Sequence, residues 1–351
     1  MYKYIPIIRP RSAERRLIDR LSVGFEQFDE ENSERSLLPC LEITEPGVDL
    51  TFYESAQGRL LVDFPEYLSQ RSTAFEASPG DDGDEGIDEF LDQYNRDPVQ
   101  FFEAKAEAVD IPVLSPERPE PVVFADIHRQ HRELRDQFDE LAVRLFVPFE
   151  SFDDRQQENL AALLADLRPN DIVLIDILSV ASFNGDYYDR IQSLVDDASG
   201  HETYVLNAFE PRESVTHNNG PVLALELGLA GFGDFATDSR YPSGGAAGDS
   251  ERDSILRQYD DAAFEVKEYS AETYPEALNN AQADGSFDPD HCEFCNNMAS
   301  EDRDWSEIWK TNSMGHYISE VVDYTLPDMV NTGPENLDAT GYQFVASARE
   351  E

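Results

Sequence analysis

Lysine is almost missing from this chain. Of 351 residues only Lys3, Lys105, Lys267 and Lys310 are lysines, and the other basic residues are all arginines. Cysteine is scarcer still: Cys40, Cys292 and Cys295 are too few and too unevenly spaced for a disulfide framework. No segment reaches the roughly 18 to 20 consecutive apolar residues of a membrane helix, so no span and no membrane partner are expected. The opening MYKYIPIIRPRSAERRL passes from a short apolar run directly to charge, without the long apolar stretch and small-residue cleavage site of a secretory leader. A cytoplasmic protein is expected. Also absent are a G-x-S-x-G nucleophile elbow and a glycine-rich phosphate loop ending in Lys-Ser/Thr.

What the chain has in excess is acid: 73 Asp and Glu against 27 Lys and Arg, a formal net charge of −46. Such a surface repels itself over about 30 Å in 10 mM salt but only about 3 Å in 1 M. The lysine-poor, acid-rich composition resembles proteins of halophilic microbes that hold molar salt inside the cell. A content of 40% hydrophobic and 11% aromatic residues leaves enough to bury, which argues against an acidic disordered chain. The same charge disfavours non-specific contact with duplex nucleic acid.

Short apolar runs rich in β-branched and aromatic residues recur, each followed by a polar stretch of helical spacing, the pattern of β/α units. Strands are predicted at 4–8, 38–43, 60–64, 111–114, 141–147, 172–178, 204–208 and around 231–235. Ser12 is placed to cap a helix carrying Leu17, Ile18 and Leu21; Asp153 or Asp154 to open one carrying Leu160, Leu163, Leu164 and Leu167; a third covers 186–195. Eight runs suggest a single (β/α)8 barrel of the TIM type over 1–325, with loop insertions and a C-terminal tail or terminal strand over 326–351. An open doubly wound sheet is the alternative. The acidic stretch SPGDDGDEGIDE reads as a solvated insertion within about 75–95, without the ligand register of an EF-hand. RYPSGGAAGDSERD reads as a mobile loop at about 238–254, and a Cys/His loop follows at about 285–300.

In such a barrel ligands lie at the C-terminal ends of the strands. The polar residues expected there are Arg9, Arg11, Glu42, Asp63, Arg144, Asp176, Asn207 and Asp234. Arg9 and Arg11 fall where a strand meets a helix N-terminus, and a guanidinium fork suits phosphate or carboxylate. A phosphorylated small molecule or nucleotide is therefore the expected ligand, with Arg9, Arg11, Arg144, Asn207 and Lys267 as its binding groups. Glu42, Asp63, Asp176 and Asp234 are candidates for acid/base work or for holding Mg²⁺ or another divalent ion. His291, Cys292 and Cys295 form H-C-x-x-C, half of a zinc site that His316 could extend, although no second Cys-x-x-Cys exists. Cys40, inside an apolar run, reads as a buried small hydrophobe.

The segments YIPIIRPRSAERRLIDRL, SLLPCLEITEP, RLLVDFPEY, NDIVLIDI, ELGLAGFGDFATDSRYP and WSEIWKTNSMGHYI resemble, in that order, the phage beta protein family, named after a protein of T-even bacteriophage. The resemblance runs over about 4–322 and rests on the ordered set. It implies a single β/α barrel, no established catalytic set, and an association with phage, mobile elements or defence loci. The family's GDY/GDF element falls on Gly233, Asp234 and Phe235, and its terminal aromatic-His element on Trp309, His316 and Tyr317. The acidic insertion and acidic surface depart from the family. Two functions follow as expectations: a barrel that binds a phosphate-bearing ligand, with metal-dependent phosphodiester hydrolysis as its activity, or a non-enzymatic protein that binds a partner from the same locus.

Overall fold

The computed structural model describes residues 2–9, 17, 36–43, 50, 59–65, 90–116, 124–147, 151–177, 185–207, 215–218, 220–235, 254–260, 265–271, 274–284 and 306–332. Eight strands form a closed, all-parallel barrel: β1 (Lys3–Ile8), β2 (Cys40–Glu42), β3 (Leu61–Asp63), β4 (Ile111–Leu114), β5 (Ala142–Phe146), β6 (Ile172–Asp176), β7 (Glu202–Leu206) and, after an excursion, β9 (Gly231–Asp234). Each overlaps a predicted strand. The pairing of β9 with both β7 and β1 closes the ring and rules out the open-sheet alternative. The fold is a TIM barrel.

Helices pack outside it: α1 (Pro98–Ala104), α2 (Phe124–Leu134), α3 (Asp154–Asp166), α4 (Gly185–Asp197) and α5 (Gly220–Glu226). α3 shows how local sequence sets an element. Asp153 accepts from the Gln156 N–H while Gln156 reaches back to the Asp153 N–H, a capping box that opens the helix. Leu160, Leu163 and Leu164 face the sheet, and the chain leaves helical geometry at Leu167, before Pro169.

Two-residue alternation along the strands sorts the side chains into two cores. Ile5, Ile7, Cys40, Leu61, Ile111, Val113, Ala142, Ile172, Leu174, Tyr204 and Leu206 fill the barrel interior. Tyr4, Ile8, Leu41, Val62, Val143, Val173, Val205 and Phe232 pack outward with the helices. Cys40 is buried, as expected, and its burial pushes the thiol well up.

Beyond the barrel lies a three-stranded antiparallel sheet that the sequence did not announce: β10 (Ser254–Asp260), β11 (Glu265–Ala271) and β8 (Val215–Asn218). Helix α6 (Tyr274–Ala283) packs on it, and α7 (Ser306–Glu320) packs on β10. α7 continues through a π-helical stretch, Val321–Thr325, into α8 (Leu326–Thr332). The boundary expected at 325 thus falls within one helical run. Residues 75–89, 238–253 and 285–300 lie outside the described residues. The end of the expected acidic insertion, 90–95, is helix and turn with Phe90 and Leu91 buried, not a solvated loop.

Candidate functional site

The inward-facing register of the strands decides what reaches the C-terminal mouth. Below it the interior is apolar. Toward the C-terminal end of the strands the same alternation delivers Arg9 after Ile5 and Ile7, Glu42 after Cys40, Asp63 after Leu61, Ser115 after Val113, Asp176 after Leu174 and, one inward position before the end of β5, Arg144 after Ala142. Glu42 and Asp63 are directly paired in register across β2 and β3. All six side chains are buried.

Arg144 is the hub. Its Nη1 donates to Glu42 Oε1 at 3.0 Å and to Asp63 Oδ2 at 2.6 Å, and its Nε donates to Asp176 Oδ2 at 2.8 Å. Arg9 donates to Glu42 Oε2 through Nε at 3.0 Å, with its Nη2 2.9 Å away. Ser115 Oγ donates to Asp63 Oδ1 at 2.7 Å. Phe235, following Gly233 on the inward register, lies 5.0 Å from the Arg9 guanidinium carbon and 5.9 Å from that of Arg144. The aromatic face favours both cations.

Three carboxylates thus meet two guanidinium groups. Burial pushes Asp63 up; Arg144 and the Ser115 hydrogen bond pull it back, Glu42 pushes it further, and it settles at about 6. Asp63 is therefore a carboxyl group poised to exchange a proton near neutrality.

Five expected site residues come together: Arg9, Glu42, Asp63, Arg144 and Asp176. Others do not. Asp234 lies on the outward register of β9 with Phe232, away from the mouth. There it accepts Tyr4 Oη at 2.7 Å on one oxygen and Tyr317 Oη at 2.5 Å on the other, pinning α7 to the barrel wall. Burial, then the Asp234 charge, drives both tyrosines well up. Asn207 follows the outward-facing Val205, and its backbone N–H donates to the Gly233 carbonyl at 3.0 Å. Lys267 sits on β11, where it reaches Asp284 at 3.2 Å, outside the barrel. The expected divalent-ion site at the carboxylates centres on Arg144, whose guanidinium stands where Glu42, Asp63 and Asp176 converge. Among the described residues no cluster of three or more His, Cys, Asp or Glu has a metal-holding arrangement. Arg11, His291, Cys292 and Cys295 lie outside the described residues, and His316 is buried on α7.

Ser115 and Phe235 are members of the layer that sequence reasoning passed over. Strand parity was the signal: each stands two residues beyond an inward-facing position, Val113 or Gly233.

No family model matches this chain, and no curated protein does. Among solved structures it is similar to a putative dihydrodipicolinate synthetase from Pseudomonas aeruginosa, at 11% identity over 67% of this chain and 71% of that one, with a TM-score of 0.28. It is likewise similar to a dihydrodipicolinate synthase at 9% identity over 66% and 69%, with a TM-score of 0.26. None of the candidate residues is assigned from these likenesses.

Proposed function

We propose that this barrel binds a phosphodiester monoanion at its C-terminal mouth and hydrolyses it with Asp63 as the acid/base group. The observation that supports this is the sharp change inside the barrel, from apolar layers to one charged layer at the end where TIM barrels place ligands. Buried charge is not needed to fill a barrel, since hydrophobic residues of similar volume commonly serve stability as well or better. Arg9 and Arg144 supply the forks that match two phosphoryl oxygens. With the Asp63 proton in place, the layer carries one negative charge fewer than with Asp63 ionised. It then tolerates a single ligand charge better than the two of a phosphomonoester.

One observation favours the other reading, a non-enzymatic partner-binding barrel from a phage-related or defence locus. Both guanidinium groups are already paired with buried carboxylates, as in a mouth sealed by internal ion pairs. The two readings separate on one experiment. In high salt, binding of dimethyl phosphate is followed by phosphorus NMR and hydrolysis of bis(p-nitrophenyl) phosphate by absorbance. The wild type is expected to bind more tightly as pH falls through about 6, the value at Asp63. Arg9→Ala should abolish binding with its circular dichroism unchanged. Asp63→Asn should lower turnover by about 100-fold or more and remove the pH limb near 6. Wild type without binding or turnover, or Arg9→Ala that binds normally, sinks the hydrolase and leaves the sealed mouth.

A further inference from the structure

A second feature, independent of the mouth, lies against the outer wall beside β2 and β3. Ile43, Leu50, Phe90 and Phe101 wall a cavity of about 70 Å³, with Tyr94, Gln93 and Lys105 completing its lining among the described residues. The aromatic wall is held in shape by its own contacts: Phe90 and Phe101 lie 5.6 Å apart, Tyr94 and Phe101 5.1 Å, and Phe64 backs both phenylalanines at 5.1 and 5.2 Å. The Phe90–Phe101 and Tyr94–Phe101 pairs are edge-to-face and the two pairs with Phe64 are tilted, and together they form an apolar floor. Gln93 is exposed and Lys105 half-buried, so the polar groups stand on the solvent side of an otherwise apolar space.

Lys105 is the telling residue. The chain carries four lysines among 73 acidic residues, yet the Lys105 ammonium forms no ion pair among the described residues. Several cations on the helical layer are paired, Arg96 with Asp92, Arg129 with Glu133, and Arg132 and Arg135 with Asp166, whereas Arg155, exposed on α3, has no ion pair among the described residues but borders no cavity lining. A cation left over in so acidic a protein, at the edge of an aromatic cavity, presents a charge to whatever enters.

We propose that this cavity is a binding site for a short-chain monocarboxylate, its alkyl end against Ile43, Leu50, Phe90 and Phe101 and its carboxylate on Lys105. The size suits that class. A cavity of roughly 150 Å³ takes the six carbons of benzene, so about 70 Å³ takes about three carbons, the propyl chain of butyrate, with the carboxylate left at the rim beside Lys105.

The test is titration of sodium butyrate, butyramide and octanoate into the wild type, Lys105→Gln and Arg9→Ala, read by saturation-transfer NMR. Butyrate should bind the wild type with a Kd on the order of 1 mM. Butyramide, which has the shape without the charge, should bind about tenfold more weakly, and octanoate should not fit. Lys105→Gln should bring butyrate down to the level of butyramide, while Arg9→Ala leaves butyrate binding intact and so separates this site from the mouth. Equal affinity for butyrate and butyramide, a preference that survives Lys105→Gln, or no butyrate binding at all overturns the proposal.

Discussion

Two buried aspartates of this chain are driven in opposite directions by their neighbours. Asp171, at the N-terminal end of β6, loses solvation, which alone would raise it. It also receives the His131 ring at 2.9 Å, the Arg168 guanidinium at 2.8 Å and the backbone N–H groups of Arg168 and Leu141 at 2.7 and 3.0 Å. The donors win, and the carboxyl is held well below its ordinary range. Asp63 has fewer donors and a carboxylate neighbour, and burial wins. The consequences for stability have opposite sign. Asp171 contributes stability that is present above the unfolded value of about 3.9 and is lost as pH falls through its lower folded value. The Asp63 contribution is full below about 3.9 and disappears as pH rises through about 6. Because Arg168 also donates to the Arg135 and Phe138 carbonyls at 2.7 and 2.8 Å, Asp171 anchors the turns at the bottom of β5 and β6. Asp171→Asn is expected to cost about 2 kcal/mol or more at pH 7. The deficit should shrink from about pH 4 toward pH 2, where the unfolded wild-type chain takes up a proton on this carboxyl that the folded chain does not. Urea unfolding at the two pH values checks it, and an equal deficit at both would exclude an ionic role.

At the scale of elements, β9 carries the closure of the barrel on two glycines. A Cβ on Gly231 would lie 1.8 Å from the Lys3 carbonyl oxygen, and one on Gly233 would lie 2.6 Å from that of Ile5. Both obstacles include backbone, so neither yields by a rotamer change. Gly231→Ala is expected to cost about 3 kcal/mol or more by forcing β9 off β1. Loss of amide-exchange protection should be concentrated in β1, β7 and β9, and uniform protection would show that the seam tolerates a side chain. The strands of the barrel were legible because each is a short apolar run bounded by polar helix sequence. The sheet of β8, β10 and β11 was not. Its centre pairs Arg257 on β10 with Glu268 on β11 directly across the ladder, Nε to Oε2 at 2.8 Å, both buried. Charge at buried strand positions removes the hydrophobic alternation that marks a strand. The mouth shows the same limit more finely. Arg9, Glu42, Asp63, Arg144 and Asp176 could be picked as the charged residues within or just after apolar runs. Asp234 met the same criterion, and only strand parity, which sets it with Phe232 opposite Gly233, sends it to the outer wall.

For the molecule as a whole the question is which electrostatic effect dominates. Several arginines of the described surface are in ion pairs: Arg59 with Glu140 at 2.6 Å, Arg129 with Glu133 at 3.1 Å, and Arg132 and Arg135 with Asp166 at 2.8 and 3.2 Å. His128, the foremost cause, and those two arginines bring Asp166 down to about 2. Pairs of this kind contribute about 0 to 1 kcal/mol each and weaken as salt rises. Against them stands a net charge of −46, which pairing cannot cancel because acids outnumber bases 73 to 27. Self-repulsion of that excess reaches across the molecule when the screening length is about 30 Å and is confined to adjacent groups at about 3 Å. Repulsion should therefore dominate, and Tm should rise steeply from about 10 mM to about 1 M KCl and then flatten as screening saturates. Sucrose separates the causes: it strengthens burial by exclusion from the surface but screens nothing. If charge governs, sucrose in low salt recovers only a small part of the rise. A Tm indifferent to KCl, or matched by sucrose, would mean that the acidic surface is not an adaptation to salt, and would turn attention to a specific cationic partner.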